Sequence, residues 1–584
     1  MRRWLIVITG LGLLLRLYGI SFGLPYLYHP DEAVAVHETL RMAGGGWRSS
    51  YSFHPHLFNY LLLFAYAMYY GIEKLLGHIH SVEEFKVLFI THPTGFYLLG
   101  RILSASFAIA TIPLLYKTGE RLYGKTVGLL SAFFLTFSFL HISNAHYLKL
   151  TMAETFFVLF TYFFMIEVIQ KGRLRDTLCA GFSGGVSLST NYNAGIIIPF
   201  VFLAQLLRST QEGLPFHRRF FEKKMSVCLL ATAAGFLLTS PLLLFNLESL
   251  SKTFWRMTGF FGYSSAASLT PPSEEINPLA YYLFSSLRYG LGIPLELLTL
   301  VGLLYVFFNV LKERRAEEIC LISFTICYIF VFSRVKFAVH RYIIPVLPFL
   351  LLSAAAFLTS IVNILSEGRR RTVLLWSMAI FLVVLPARDA LYHDWLISST
   401  KDTRTQAKEW IEENVPAGTG IAVENYVRIP AFQPPILEER EESQQKLDAA
   451  LRNSPSRGEY RRLSLRAGVE MKRYKIIDLI EEPHLVPAYE NYYDFGRLKR
   501  QGVRFVILNH LYQRPFKYTG RLKEKRIHFE EDLKPHARLV KQFNPLREGR
   551  PWRFINHESA ITPFERVLDF AFPGPRLEVY ELKL

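Results

Sequence analysis

Eleven apolar runs recur along this 584-residue chain and limit what it can fold into. They lie at 4–22, 97–116, 127–143, 153–170, 176–189, 194–208, 225–245, 293–311, 317–333, 342–364 and 372–388. About 20 apolar residues in a helix cross the hydrocarbon core of a bilayer, and only a helix or a closed barrel satisfies its backbone there. With 51% hydrophobic and 15% aromatic residues, the chain reads as a polytopic α-helical membrane protein. The first run is too long for a removed signal peptide and has no small-residue cleavage site, so it is expected to be the first span. The cysteines, Cys179, Cys228, Cys320 and Cys327, all fall in apolar runs without metal-ligand spacing, which makes them packing residues.

Positive charge orients the spans. The formal net charge of +17 could point to nucleic acid, but in a polytopic chain much of the Lys and Arg belongs to cytoplasmic turns. A further run, 57–77, is rich in aromatics and ends in charge. If it lies at the interface within a long first outer loop (23–96), nineteen Lys and Arg fall in the N-terminus and the short turns of one side. If it crosses, every later basic turn is on the outside. The first arrangement predicts 11 spans plus interfacial helices, a cytoplasmic N-terminus and an extracytoplasmic C-terminus in the cell membrane.

Near residue 390 the long apolar runs stop. QAKEWIEEN reads as an amphipathic helix, and GIAVENY, RFVILN and RLEVYEL read as strands. The expected organisation is a membrane domain over 1–389 followed by a soluble α/β domain over 390–584. The polar stretch from Glu439 to Arg462 is read as a helix and a loop.

This topology gathers polar groups on the outer face. His29-Pro30-Asp31-Glu32 follows the first run, and Pro30 ends any helix entering it, leaving two adjacent carboxylates on a turn at the bilayer surface. Glu154 opens the fourth run and Arg101 the second on that side. Arg334, Lys336, His340 and Arg341 lie between the ninth and tenth. Carboxylates can act as a base for an acceptor hydroxyl, and cations can hold a phosphate leaving group. Blander readings stand beside these. Asp31 and Glu32 could open a helix, Glu154 could cap the fourth span, and the basic residues could bind lipid headgroups. His54, His56, His141 and His146 share the face without a marked ligand pattern, so interfacial packing is their expected role.

Several stretches, in order, resemble the GT-C superfamily of polyprenyl-phosphate-sugar-dependent glycosyltransferases, nearest to relatives of the protein O-mannosyltransferases and aminoarabinose transferases. They are YHPDEAVAVHETLRMAGG, FHPHLFNYLLL, LGRILSASFAIATIPLLYKTGERLYG, FSFLHISNAHYLKLTMAETFFVLF and HRYIIPVLPFLLL. TRTQAKEWIEENVPAG is similar to the start of the outer domain in these relatives. The resemblance implies sugar transfer from a polyprenyl-phosphate donor to a protein, lipid or glycan acceptor on the outer face, with inversion. Asp31 matches the family's proposed base. Glu154 stands where an Asp is usual, and Asn191 where relatives often carry Lys. Arg101, Lys336, His340 and Arg341 are the implied phosphate-binding set, with Glu32, His54 and His56 supporting. Some superfamily members need a divalent metal, and nothing in the spacing decides that here. The competing reading is a protein that binds or translocates a lipid-linked sugar. Transporters tend to carry charges mid-bilayer and show repeats, and neither pattern is evident here.

Overall fold

The computed structural model describes residues 1–26, 28–44, 55–241, 277–335, 338–424, 434–435, 437–438, 473–479, 493–510, 520–550 and 564–583. Lys336, His54 and the expected polar helix and loop after Glu438 lie outside these residues.

Each of the eleven apolar runs falls on helix. Among the described residues six helices are long and apolar enough to cross a membrane, or seven if the bent pair Lys125–Phe137 and Phe139–Ala145 forms one span. The runs at 4–22, 176–189, 225–245 and 317–333 form helices of only 16 or 17 described residues. The ambiguous run 57–77 is also a helix, Leu57–Leu75, and it packs through Phe58, Leu62 and Tyr66 with Phe96 and Tyr97.

We label the membrane helices used below α1 (Arg2–Leu17), α2 (Pro30–Ala43), α3 (Leu57–Leu75), α4 (Val82–Thr91), α5 (Thr94–Tyr123), α6 (Lys125–Phe137), α7 (Phe139–Ala145), α8 (Thr151–Lys171) and α9 (Leu174–Thr190). Small residues let some of these helices meet backbone to backbone, as is usual where lipid supplies no hydrophobic drive. A Cβ on Gly181 or Gly185 of α9 would fall on the carbonyls of Cys228 or Thr232 in helix Lys223–Thr239.

The 58° bend between α6 and α7 at Ser138 interrupts the regular helical hydrogen bonding. The fully buried Arg16 of α1 donates to carbonyls there, Leu135 O at 3.0 Å and Thr136 O at 3.3 Å. An arginine in the first span is thus tied to a break in its neighbour.

Helix Gly368–Ser399 continues ten residues past the expected boundary at 389, and an amphipathic helix, Thr403–Asn414, follows it. The expected strands are present as β1 (Gly420–Val423), β4 (Val503–Asn509) and β6 (Leu577–Leu582). With β2 (Leu437–Glu438), β3 (Arg473–Asp478) and β5 (Ala537–Phe543) they form a six-stranded sheet of order β2-β3-β1-β4-β6-β5. The first four strands pair in parallel, and β6 runs antiparallel to both β4 and β5. Ala407 and Ile411 of the preceding helix pack on this sheet with Ile421, Ile507 and Val579.

Among the described residues the outer domain reaches the membrane helices at several places. Arg404 donates to Tyr28 O at 3.2 Å, its guanidinium 4.0 Å from the Tyr28 ring centre, and Thr405 is hydrogen-bonded to the Tyr28 hydroxyl. Elsewhere, Phe564 stacks on Phe139 and meets the His340 ring at 4.2 Å, while buried Glu565 accepts from Ser285.

Candidate active site

The HPDE turn opens α2. His29 is the cap residue, its Nδ1 accepting from Asp31 N at 3.2 Å, and Pro30 takes the first helical position, where no backbone donor is lost. Both carboxylates sit in the first turn, next to the positive end of the helix dipole. Successive helical residues point about 100° apart, and the two side chains go to different places.

Glu32 turns inward and is fully buried. It accepts two parallel bonds from Arg101, Nε at 2.7 Å and Nη2 at 2.9 Å, and a third from Leu148 N at 3.0 Å. Arg101 gives its remaining nitrogen to Ile20 O and Phe22 O, both at 2.8 Å, and lies 4.8 Å from the Phe22 ring centre. Every guanidinium nitrogen is therefore used inside the protein. This corrects the expectation that Arg101 binds phosphate: burial of Glu32 demands a bidentate partner, and Arg101 is that partner.

Asp31 turns outward and is 42% exposed, with Oδ2 3.2 Å from Arg341 Nη2. His29 Nδ1 stands 3.8 Å from the same oxygen. Lys149, buried in the loop between α7 and α8, joins this group with its ammonium 5.0 Å from the Tyr147 ring centre. Tyr147 in turn packs on His29 and Phe22. Burial, with Arg341 next, draws the Lys149 ammonium down to about 7, against the pull of Asp31 and Glu32. The Tyr342 hydroxyl lies within electrostatic reach of Arg341, Asp31 and Glu154.

Glu154 is buried in the first turn of α8. Its Oε2 accepts from Asn191 Nδ2 at 2.9 Å and its Oε1 from the Tyr328 hydroxyl at 3.3 Å. The two positions at which this chain departs from the family pattern thus contact each other.

His340 faces the outer domain, with Lys149 and Arg341 within electrostatic reach of its ring. Its ring is buried and stacked on Tyr281, whose hydroxyl lies 2.8 Å from Nδ1, and Nε2 is 3.6 Å from Glu565 Oε1. It joins the membrane domain to the outer domain. His56 is buried before α3, its Nδ1 without a hydrogen-bond partner, and burial lowers its pKa. Among the described residues Asp31 and Glu154 belong to no group of three ligand-type side chains at metal-binding distance.

Lys149, Tyr342 and Glu565 were not singled out from the sequence. For Lys149 a signal existed: it is the lysine of the short outer turn between the third and fourth apolar runs.

The chain combines apolar helices long enough to cross a membrane, a polar site at one end of them and a small α/β sheet domain. Residues 97–245, from α5 through Asn191 and beyond, match the family described as dolichyl-phosphate-mannose-protein mannosyltransferase. The fold is similar to that of the apo oligosaccharyltransferase of Archaeoglobus fulgidus, at a TM-score of 0.51 and 10% identity, covering 99% of this chain and 88% of that one. ArnT from Cupriavidus metallidurans bound to undecaprenyl phosphate aligns at a TM-score of 0.47 and 12% identity, over 99% and 98% of the two chains. No curated protein matches the chain.

Proposed function

We propose that this protein transfers a sugar from a polyprenyl-phosphate donor to an acceptor on the outer face of the membrane, with inversion at the anomeric carbon. The observation that carries the reading is the half-exposed Asp31 paired with Arg341 beside the buried Lys149. Asp31 takes the proton of the acceptor group as its heteroatom attacks the anomeric carbon. The bond from that carbon to the phosphate oxygen breaks, and its electron pair leaves on the phosphate. Arg341 and Lys149 neutralise the charge that develops there, the guanidinium by paired bonds and the ammonium as a point charge. Lys336 is a further candidate for the same phosphate. Glu154, held by Asn191 and Tyr328, orients the acceptor. The polyprenyl tail lies along lipid-facing helices. The distribution of Lys and Arg supports a cytoplasmic N-terminus, eleven spans and an outer C-terminal domain.

The test is sugar release from a radiolabelled polyprenyl-phosphate sugar by purified wild type and Asp31→Asn. Turnover by wild type and its loss in the variant is the expected result. Equal turnover by both would remove Asp31 as the base. Wild-type binding of the lipid without turnover of any lipid-linked donor would favour translocation.

A further inference from the structure

A second polar cluster lies behind the catalytic turn, built from residues that the transfer reaction does not use. His146 follows α7, and His393 and Asp394 lie in the last membrane helix, Gly368–Ser399. All three are buried, and one ligand atom from each falls within 4.8 Å of the other two. The sequence separates them by almost 250 residues and gave no hint of the grouping.

Hydrogen bonding fixes which atoms face each other. His146 Nδ1 is 2.9 Å from the carbonyl of Ile142, which can only accept, so Nδ1 carries the hydrogen. In the neutral ring Nε2 is then a bare acceptor. It points at two further acceptors, Tyr18 O at 2.9 Å and Asp394 Oδ1 at 3.6 Å. His393 Nδ1 approaches the same Asp394 oxygen at 3.2 Å. The lone pairs of His146 Nε2, Tyr18 O and Asp394 Oδ1 converge, and at these distances they repel unless a positive centre lies among them.

A proton on His146 Nε2 would relieve the contact with Tyr18, and one on His393 Nδ1 would serve Asp394 Oδ1. Asp394 Oδ2 and His393 Nε2 would still have no hydrogen-bond partner among the described residues, although both side chains are buried. The nearby Arg16 does not serve Asp394 directly, because its nitrogens go to Gly12 O, Leu135 O, Thr136 O and His141 Nδ1.

We propose that His146, His393 and Asp394 bind a divalent transition metal of the zinc type as a structural site, with Tyr18 O facing the fourth position. Two imidazoles and a carboxylate suit such an ion. Tetrahedral ligands about 2.0–2.1 Å from zinc lie roughly 3.3 Å from one another, which the 3.2 and 3.6 Å separations bracket. The Nδ1–H bond from His146 to Ile142 O is the outer contact that orients a metal-bound imidazole. The ion would tie the end of α1 and the α7–α8 loop to the last membrane helix. That loop carries Tyr147 and Lys149, so the site would also brace one wall of the catalytic turn.

The experiment uses the full chain purified in detergent without chelator, and it does not depend on any transfer activity. Elemental analysis is expected to find about one zinc per chain. Chelation should lower the melting temperature and Zn²⁺ should restore it. Co²⁺ replacement should give the intense visible absorption of a four-coordinate site. That absorption should be lost in His393→Gln and Asp394→Asn and kept in Asp31→Asn, each checked for monodispersity by size exclusion. Metal-free protein whose melting temperature and spectrum ignore Zn²⁺ and Co²⁺ would overturn the proposal, and this needs no variant. A cobalt spectrum that survives both His393→Gln and Asp394→Asn would place the ion elsewhere and overturn it equally.

Discussion

Arg341 Nη2 stands 3.2 Å from Asp31 Oδ2, so the proposed base is held by the proposed phosphate ligand. The pair has a consequence for the reaction. In the proposed mechanism a bound phosphate would compete with Asp31 for Arg341, coupling donor binding to the base. Asp31→Asn is expected to lower kcat by 100-fold or more while leaving donor binding within a few-fold. Arg341→Ala should raise the donor KM and lower kcat, and the double variant should be little worse than Asp31→Asn alone, because the two residues act as one unit. Steady-state kinetics with a lipid-linked donor measure all three.

Lys149 gives the reaction a pH dependence. Burial and Arg341 bring its ammonium down to about 7, so it is charged below that value and neutral above it. Phosphate binding favours the charged form. The donor KM is therefore expected to rise as pH increases from 7 to 9, and Lys149→Met should abolish that rise while raising KM about tenfold at pH 6.5. The stability effect has the opposite sign. Between about 7 and 10.5 the unfolded chain binds a proton at this residue that the folded chain does not, so the folded state gains stability with rising pH. Lys149→Met should accordingly raise the melting temperature at pH 7 by a few degrees, read by thermal denaturation in detergent.

The elements that follow from local pattern were legible in the sequence. Apolar runs became helices and the three expected strands became β1, β4 and β6, because period and length are properties of the segment itself. The HPDE turn and Glu154 were legible through the resemblance. What was hidden depends on partners far away in the chain. Arg101 and Arg341 are both arginines beside a span, yet one is enclosed by Glu32, Ile20 and Phe22 while the other faces Asp31. Only the packing of α2 against α5 separates them. The roles of His340 and Arg404 likewise required the position of the outer domain, which no periodicity encodes.

Glu154 and Asn191 form a coupled departure from the family pattern. The resemblance implies an Asp at the first position and often a Lys at the second, whereas here a carboxylate one methylene longer reaches a neutral amide at 2.9 Å. Glu154→Asp alone should pull the carboxylate back from Asn191 and reduce kcat/KM by about tenfold, since a buried acceptor then loses a donor. Glu154→Asp combined with Asn191→Lys should recover part of that loss, because the longer cationic side chain can span the gap. Comparing the double variant with each single one gives the coupling directly.

The Glu32–Arg101 pair separates folding from chemistry within one tetrapeptide. Both groups are fully buried and joined by two bonds, and Glu32 also receives Leu148 N, fixing the loop that leads to Lys149. Removing one partner of such a pair leaves an uncompensated charge and costs about 3–5 kcal/mol. Glu32→Gln and Arg101→Met are therefore expected to lower the melting temperature sharply. Arg101→Lys should rescue little, since an ammonium cannot reproduce the two parallel bonds to Glu32 while also serving Ile20 O and Phe22 O. Asp31→Asn, by contrast, should melt close to wild type, because its side chain is half-exposed. If Arg101→Met instead melted like wild type and raised only the donor KM, Arg101 would be a phosphate ligand and the inward pairing of Glu32 would have to be abandoned.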